Sequence, residues 1–339
     1  MNKIWFKKIY FVWSRFGGGA TMGCYQPHLV CHDMSIPSMV YGINDMPISQ
    51  IKESAVFFMK GRPSQDLINR LKENKNIIVY YPGDGSEPLL MEYIKKINNL
   101  DGIIVGGNEF KKLISLQRKD IQTTVIPANH DYFLDSKIFK KERESEFKLY
   151  FGGSRNPHAP TQGDLALEQF KYTEGYFHSL KYIENNMRRA TTTQRERYVI
   201  DIASKNKCPV LNELIQSKQN PTKYSCHYAV RAPWIGNYST QWNTKTGGKV
   251  STAAASGALD PSVRALIDED YPYAINTETQ EFKDNYEEMC REMVSKAKKT
   301  FNTKIWQNGL KIMKEVKDRT TTRKITLEYI DFFNKLYEL

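Results

Sequence analysis

The sequence predicts an α/β fold in which two successive units each build a parallel, helix-covered sheet. Three observations carry that expectation. Apolar, β-rich runs alternate with amphipathic segments up to Asp131, joined by short loops, which is the pattern of consecutive βαβ units. The same pattern restarts at "FKLYFGGSRNP", beyond the charged stretch "SKIFKKERESE". The chain's 339 residues also exceed what one hydrophobic core ordinarily organises.

The elements follow in order. "KIYFVW" is aromatic and β-branched and reads as a strand. "SRFGGGATMGCYQPHLVCHDMSI" is a glycine loop leading into a helix, with Pro27 near the first turn, where its missing N–H costs nothing. "AVFFMK" is a second strand. In "SQDLINRLKENK", Ser64 caps a helix whose Leu67, Ile68 and Leu71 share one face. "NIIVYYPGDGS" is a buried strand ending in a glycine-flanked acid, "EPLLMEYIKKIN" a helix, "DGIIVGG" a strand, "NEFKKLISLQ" a helix and "TTVIPANHD" a strand with its turn.

After the linker, "FKLYFGGSRNP" opens the second unit as a strand. A helical region is expected in "LEQFKYTEGYFHSLKYIENNMRRA", a strand in "CHYAVRAPW", and a loop with a small-residue helix in "TKTGGKVSTAAASGA". Amphipathic helices are expected at 282–298 and 322–337. The units are therefore placed at 1–140 and 146–320, with 321–339 a terminal helix that packs back on the first.

Composition narrows the function classes. With 40% hydrophobic and 26% charged residues the chain has the make-up of a globular protein. No apolar run approaches the roughly 18 residues that span a bilayer. The opening "MNKIWFKKIYFVW" is interrupted by Lys7 and Lys8, so a buried first strand is expected rather than a signal peptide. Five cysteines without a CxxC pair and six histidines without HExxH argue for reduced thiols in a cytoplasmic compartment and against a metal centre. Net charge is +11, and Arg291–Lys324 alone carries eleven Lys or Arg against three acids. That run is either a solvated helix face or a surface that meets anionic lipid head groups or nucleic acid, and charge alone does not choose.

Four strand-end segments could carry chemistry. Gly17, Gly18 and Gly19 after the first strand would let backbone N–H groups approach a ligand, or form only a turn. They are not a GxGxxG fingerprint and no acid follows at the dinucleotide spacing, which disfavours a nicotinamide-dependent dehydrogenase. Asp84, between Gly83 and Gly85, could orient a sugar hydroxyl or take its proton, or sit in a surface turn. Gly152 and Gly153 would admit a phosphate that Arg155 pairs with, or Arg155 is a structural turn residue. Lys249 with the N–H groups around Ser251 and Thr252 would meet a diphosphate, and Asp268, Glu269 or Asp270 could hold sugar hydroxyls. The plain alternative there is a helix–helix contact made by Ala253 to Gly257.

At these residues the chain resembles a GT-B glycosyltransferase of the broad family-4 type (glycosyl transferases group 1). "FGGGATMGCYQPHLV" resembles that family's first glycine loop, and "VIPANHDYF" its strand end before the linker. "LYFGGSRN" resembles the opening strand and loop of its donor domain. "CHYAVRAP" with "TKTGGKVSTAAASGA" resembles the late strand, loop and small-residue helix that hold the nucleotide-sugar. The resemblance implies two Rossmann-like domains facing each other across a cleft, with Gly18 and Gly19 lining it and Asp84 near the acceptor. Arg155 and Lys249 would neutralise the donor's diphosphate.

The resemblance also implies transfer without an obligatory metal. The nucleotide-sugar is a co-substrate and no cofactor is expected. The acceptor expected from it is a glycan or lipid-linked saccharide, handled in the cytoplasm or peripherally at a membrane. Two other expectations stand beside it: a DNA-modifying glycosyltransferase acting on a modified base, as known from bacterial viruses, and a non-catalytic nucleotide- or nucleic-acid-binding protein of degenerate GT-B fold. The second follows from the family's two glutamates spaced by seven residues, whose first position falls at Lys249 or a neighbour.

Overall fold

The computed structural model describes residues 4–14, 20–83, 88–129, 147–153, 171–172, 175–179, 225–228, 285–300 and 303–339. The first sheet is assembled from β1 (Ile9–Trp13), β2 (Ser38–Gly42), β3 (Ala55–Met59), β4 (Ile77–Tyr81), β5 (Gly102–Val105) and β6 (Gln122–Val125). Its order is β2-β1-β3-β4-β5-β6, and every pair is parallel. β1, β3, β4 and β5 are buried at every position. Runs such as "AVFFM" and "IIVYY" lack polar alternation because both faces of a helix-covered parallel sheet leave water.

Helices α2 (Gln65–Glu73), α3 (Pro88–Lys96) and α4 (Asn108–Gln117) each follow directly on a strand. They cover one face: Leu67, Ile68, Leu71, Leu90, Ile94, Phe110 and Ile114 pack with Val12, Val56, Phe58, Ile78, Tyr80 and Ile103. Ser64 caps α2, its hydroxyl accepting from the Leu67 N–H at 3.2 Å. Arg118, just past α4, donates to the Ile94 carbonyl at the end of α3 (2.7 Å) while its other nitrogens pair with Asp120. That satisfies carbonyls a helix end leaves open.

The opposite face is covered by α1 (Gln26–Asp33) and by a helix from the far end of the chain. Residues 285–300 and 303–339 carry three helices, α5 (Tyr286–Thr300), α6 (Lys304–Arg319) and α7 (Thr322–Tyr337). α7 lays Ile325, Tyr329, Ile330, Phe332, Phe333 and Leu336 against Phe11, Phe57, Val79, Tyr81 and Ile104. Phe57 meets the rings of Tyr329 and Phe333 at 5.0 and 6.0 Å between centroids. A Cβ at Gly102 would lie 2.8 Å from Phe332 and Leu336, so glycine lets α7 approach the strand. Burying six such side chains contributes on the order of 10 kcal/mol, about the whole stability of a typical domain.

The second sheet holds β7 (Phe147–Gly153), β8 (Gly175–Ser179) and β9 (Ser225–Tyr228), in the order β8-β7-β9 and parallel throughout. Three local expectations change here. Strand β2 was not expected: it is a five-residue edge strand that buries only Val40 and Gly42 and so lacks an apolar run. Within the region read as helical, "GYFHS" is a strand, because pairing with Leu149 to Gly153 overrides the local helical spacing. The basic tail contains an additional helix, α6, and its charge is not on one face, since Lys317 is only 5% exposed while Lys311 and Lys314 face solvent. The expected unit boundaries at 140 and 146 lie outside the described residues.

Candidate functional site

The strand order selects one place on the first sheet. From β1 the chain goes to β2 on one side, then returns past β1 to β3 on the other. Connections leaving the carboxyl ends of β1 and β3 therefore diverge, and ligands of open parallel sheets bind in the crevice opened at such a switch.

Glycines bring the chain close together at that edge. A Cβ at Gly61, just after β3, would lie 3.0 Å from the Ser14 Cβ just after β1. A Cβ at Gly23 would collide with the Met59 side chain at the end of β3. Gly83, just after β4, has φ +81 and is crossed by the stem of Lys60, whose Cγ and Cε would be 2.6 and 2.7 Å from an added Cβ. Lys60 itself is left-handed, with φ 60. Its N–H donates to the Tyr81 carbonyl at 2.8 Å, so β3 and β4 stay paired up to the residue where the chain turns.

The chain re-enters from the glycine loop through a π-helical turn, Thr21–Tyr25, that runs directly into α1. π-turns are rare and concentrate at functional sites. Cys24 and Tyr25 are buried in this turn, and Pro27 occupies the first turn of α1 as expected. Burial pushes the Cys24 thiol up strongly and that of Cys31 to about 12, so both are neutral thiols rather than nucleophiles.

Behind the turn lies a buried polar junction. The Asn129 amide donates to Gln26 Oε1 at 3.3 Å and to the Thr322 hydroxyl at 3.2 Å. Gln26 begins α1, Asn129 follows β6 and Thr322 begins α7, and all three are at most 2% exposed. Three distant segments are thus tied beside the entry from the glycine loop.

Of the residues expected to form a site, Gly152 and Gly153 are described as the last two residues of β7, where they pair with His178 and Ser179 of β8. They are strand residues, and the Arg155 segment begins only after them. Gly17, Gly18, Gly19, Asp84, Arg155, Lys249, Ser251, Thr252, Asp268 and Glu269 lie outside the described residues. Asp84 is the next residue after Gly83. Sequence reasoning passed over Lys60, Gly61, Gln26, Asn129 and Thr322. The one local signal was "MKGRPS", a lysine-glycine step between a buried strand and a capped helix. Among the described residues no cluster of three His, Cys, Asp or Glu could hold a metal ion, and no helix is long and apolar enough to cross a membrane.

Solved structures place this architecture. HepE of Anabaena, in complex with UDP, superposes with a TM-score of 0.52 at 10% identity, covering 98% of this chain and 100% of that one. An α-glucosyltransferase in complex with UDP and a 13-mer DNA containing an HMU base gives 0.51 at 10% identity, covering 96% and 98%. The N-terminal domain of Candida albicans trehalose-6-phosphate phosphatase gives 0.51 at 8% identity, covering 99% and 98%. The chain has the α/β fold of the GT-B glycosyltransferases. No protein-family model matches it, and no curated protein sequence does.

Proposed function

We propose that the protein is a glycosyltransferase of the broad family-4 type, moving a sugar from a nucleotide-sugar donor to a hydroxyl of a glycan or lipid-linked saccharide. The observation that carries this reading is the GT-B fold over nearly the full chain, supported by likeness to HepE with its bound UDP. In the proposed mechanism Arg155 and Lys249, with N–H groups near Gly152, Gly153, Ser251 and Thr252, stabilise the charge that grows on the departing diphosphate. Asp268 and Glu269 hold donor hydroxyls. Asp84 accepts the acceptor's proton or orients its hydroxyl, and Gly17 to Gly19 line the cleft. No metal or cofactor takes part, and the work is done in the cytoplasm or peripherally at a membrane.

One observation favours a second reading. The neighbour solved with UDP and DNA is as similar as the others, and the Arg291–Lys324 run would suit a polyanion. On that reading the acceptor is a modified base in DNA, taken out of the stack for reaction.

The test is a calorimetric and turnover screen of uridine, guanosine, adenosine and cytidine diphosphates and their sugars, beginning with UDP. Lys249→Ala and Arg155→Ala should each lower turnover by roughly a hundredfold and weaken nucleotide binding. Wild-type values in both variants would contradict the mechanism. Nucleotide binding without transfer to any acceptor would favour a non-catalytic binding protein.

A further inference from the structure

The amino ends of the first sheet's strands form an edge of their own, at the far end of the strands from the switch. α7 finishes there. The Trp5 N–H, just before β1, donates to Asn334 Oδ1 at 3.3 Å, and Phe6 meets Phe333 edge-on at 6.1 Å. Gly102, the first residue of β5, lies against Phe332 and Leu336. At this edge Trp5 stacks on Tyr337, with 6.4 Å between ring centroids and 13° between ring planes. Phe6 and Phe333 are buried, yet Trp5 stays 40% and Tyr337 44% exposed.

The same edge carries surplus positive charge. Residues 4–8, 34–37, 51–54, 74–76, 97–101 and 118–121 lead into the amino ends of the strands. Each acid in them has a cationic partner: Glu53 pairs with Lys7, Asp101 with Lys72 and Asp120 with Arg118. Lys52, Lys75 and Lys119 are exposed in these segments, and Lys335 is exposed in the last turn of α7. None of these four lysines is in an ion pair among the described residues. Against them stands Glu338, exposed just past α7.

Lysines near helix carboxyl ends are ordinary, because they meet the helix dipole. A half-exposed tryptophan stacked on a half-exposed tyrosine is not explained that way. Both residue types favour the boundary of a bilayer, where the ring is apolar and its polar end stays wet, and lysines beside them meet anionic head groups. Lys52, Lys75 and Lys119 precede β3, β4 and β6, so they are spread across the width of the sheet. That spread suits a flat layer of head groups, whereas a nucleic-acid strand needs a charged groove and free ring faces.

We propose that the amino edge of the first sheet docks on an anionic bilayer, with Trp5 and Tyr337 entering the interface and Lys52, Lys75, Lys119 and Lys335 meeting lipid phosphates. This rests on the peripheral placement within the proposed function, and it adds the surface and the lipid class. The carboxyl edge, where the order of strands reverses, lies at the other end of the strands, so docking leaves nucleotide binding untouched.

The test is flotation of the full chain with phosphatidylcholine vesicles, with and without phosphatidylglycerol, over a salt series. Binding should need the anionic lipid and fade as salt rises. Lys52→Glu with Lys335→Glu alters exposed side chains alone and should weaken binding by at least about tenfold. Trp5→Ala and Tyr337→Ala should each weaken it severalfold, and brominated acyl chains should quench wild-type fluorescence more than that of Trp5→Phe. Lys304→Glu with Lys311→Glu, on α6, should leave flotation unchanged, and vesicles should leave UDP affinity unchanged. No flotation of wild type, or equal flotation of the edge variants, would overturn the proposal. Vesicles that release bound UDP would also overturn it, by placing lipid at the carboxyl edge. A dimer that Trp5→Ala splits would put a second copy on this surface instead, and an oligonucleotide bound through Lys52 and Lys335 without vesicle binding would put nucleic acid there. If wild-type protein binds no nucleoside diphosphate, the glycosyltransferase reading fails, and flotation still decides the docking surface.

Discussion

The two faces of the first sheet are built differently. On one, α2, α3 and α4 each follow their own strand and pack where the chain has just turned. Local polar ties fix them: Asn76 accepts from the Ser54 N–H and donates to the Ile51 and Leu71 carbonyls, and Asp101 receives the Ile78 N–H and the Lys72 ammonium. On the other face, α1 is short, and most of the aromatic surface is closed by α7, which begins 193 residues beyond Asn129 in sequence. The difference teaches that the first sheet is not an autonomous piece of the sequence. The helix that completes it is joined through Asn129 and Gln26 to the entry of the glycine loop, so stability and site share one anchor.

Breaking the distant face should have the largest effect. Ending the chain at Thr321 removes α7 and uncovers Phe57, Val79 and Tyr81, a loss on the order of 10 kcal/mol. Thermal unfolding should lose its cooperative transition. Phe333→Ala should cost about 3–5 kcal/mol by chemical denaturation. Leu71→Ala on the local face, costing about 2–5 kcal/mol, serves as the comparison and should leave the α7 face intact to hydrogen exchange.

The junction comes next. Thr322→Val keeps the shape but removes an acceptor from the buried Asn129 amide, for about 1–3 kcal/mol. If α7 and the glycine loop share this anchor, hydrogen exchange should quicken in both α7 and the Thr21–Tyr25 turn, and in neither α3 nor α4. Ser64→Ala removes only a local cap and should cost about 1 kcal/mol.

The smallest effect is a pH dependence on α7. Burial holds the Glu328 carboxyl above its ordinary range, partly offset by Lys324 and Arg319. The folded state therefore keeps its proton longer than the unfolded chain. The resulting stability is present at low pH and lost as pH rises through the raised value. Relative to Glu328→Gln, wild-type melting temperature should fall as pH rises from the glutamate range toward neutrality.

How much the sequence reveals tracks the same division. β1, β3, β4 and β5 are continuous apolar runs, and Ser64 with Leu67, Ile68 and Leu71 marks α2 from local signals alone. β2 escapes because an edge strand preceded by Pro37 need not be apolar. Its absence from the reading hides the switch point, since the order reverses only when β2 lies on the far side of β1. β8 escapes because its strand state comes from β7, which no local window contains. Lys60 escapes for a related reason: a lysine after a strand is ordinary, and only the left-handed φ and the stem across Gly83 distinguish it. Asn129, Gln26 and Thr322 share no sequence pattern and meet only through packing.

A crystal structure of the full chain with UDP tests the account most directly. The account predicts UDP with its diphosphate on Arg155 and Lys249. UDP bound away from both basic residues, or at the amino edge of either sheet, would contradict it.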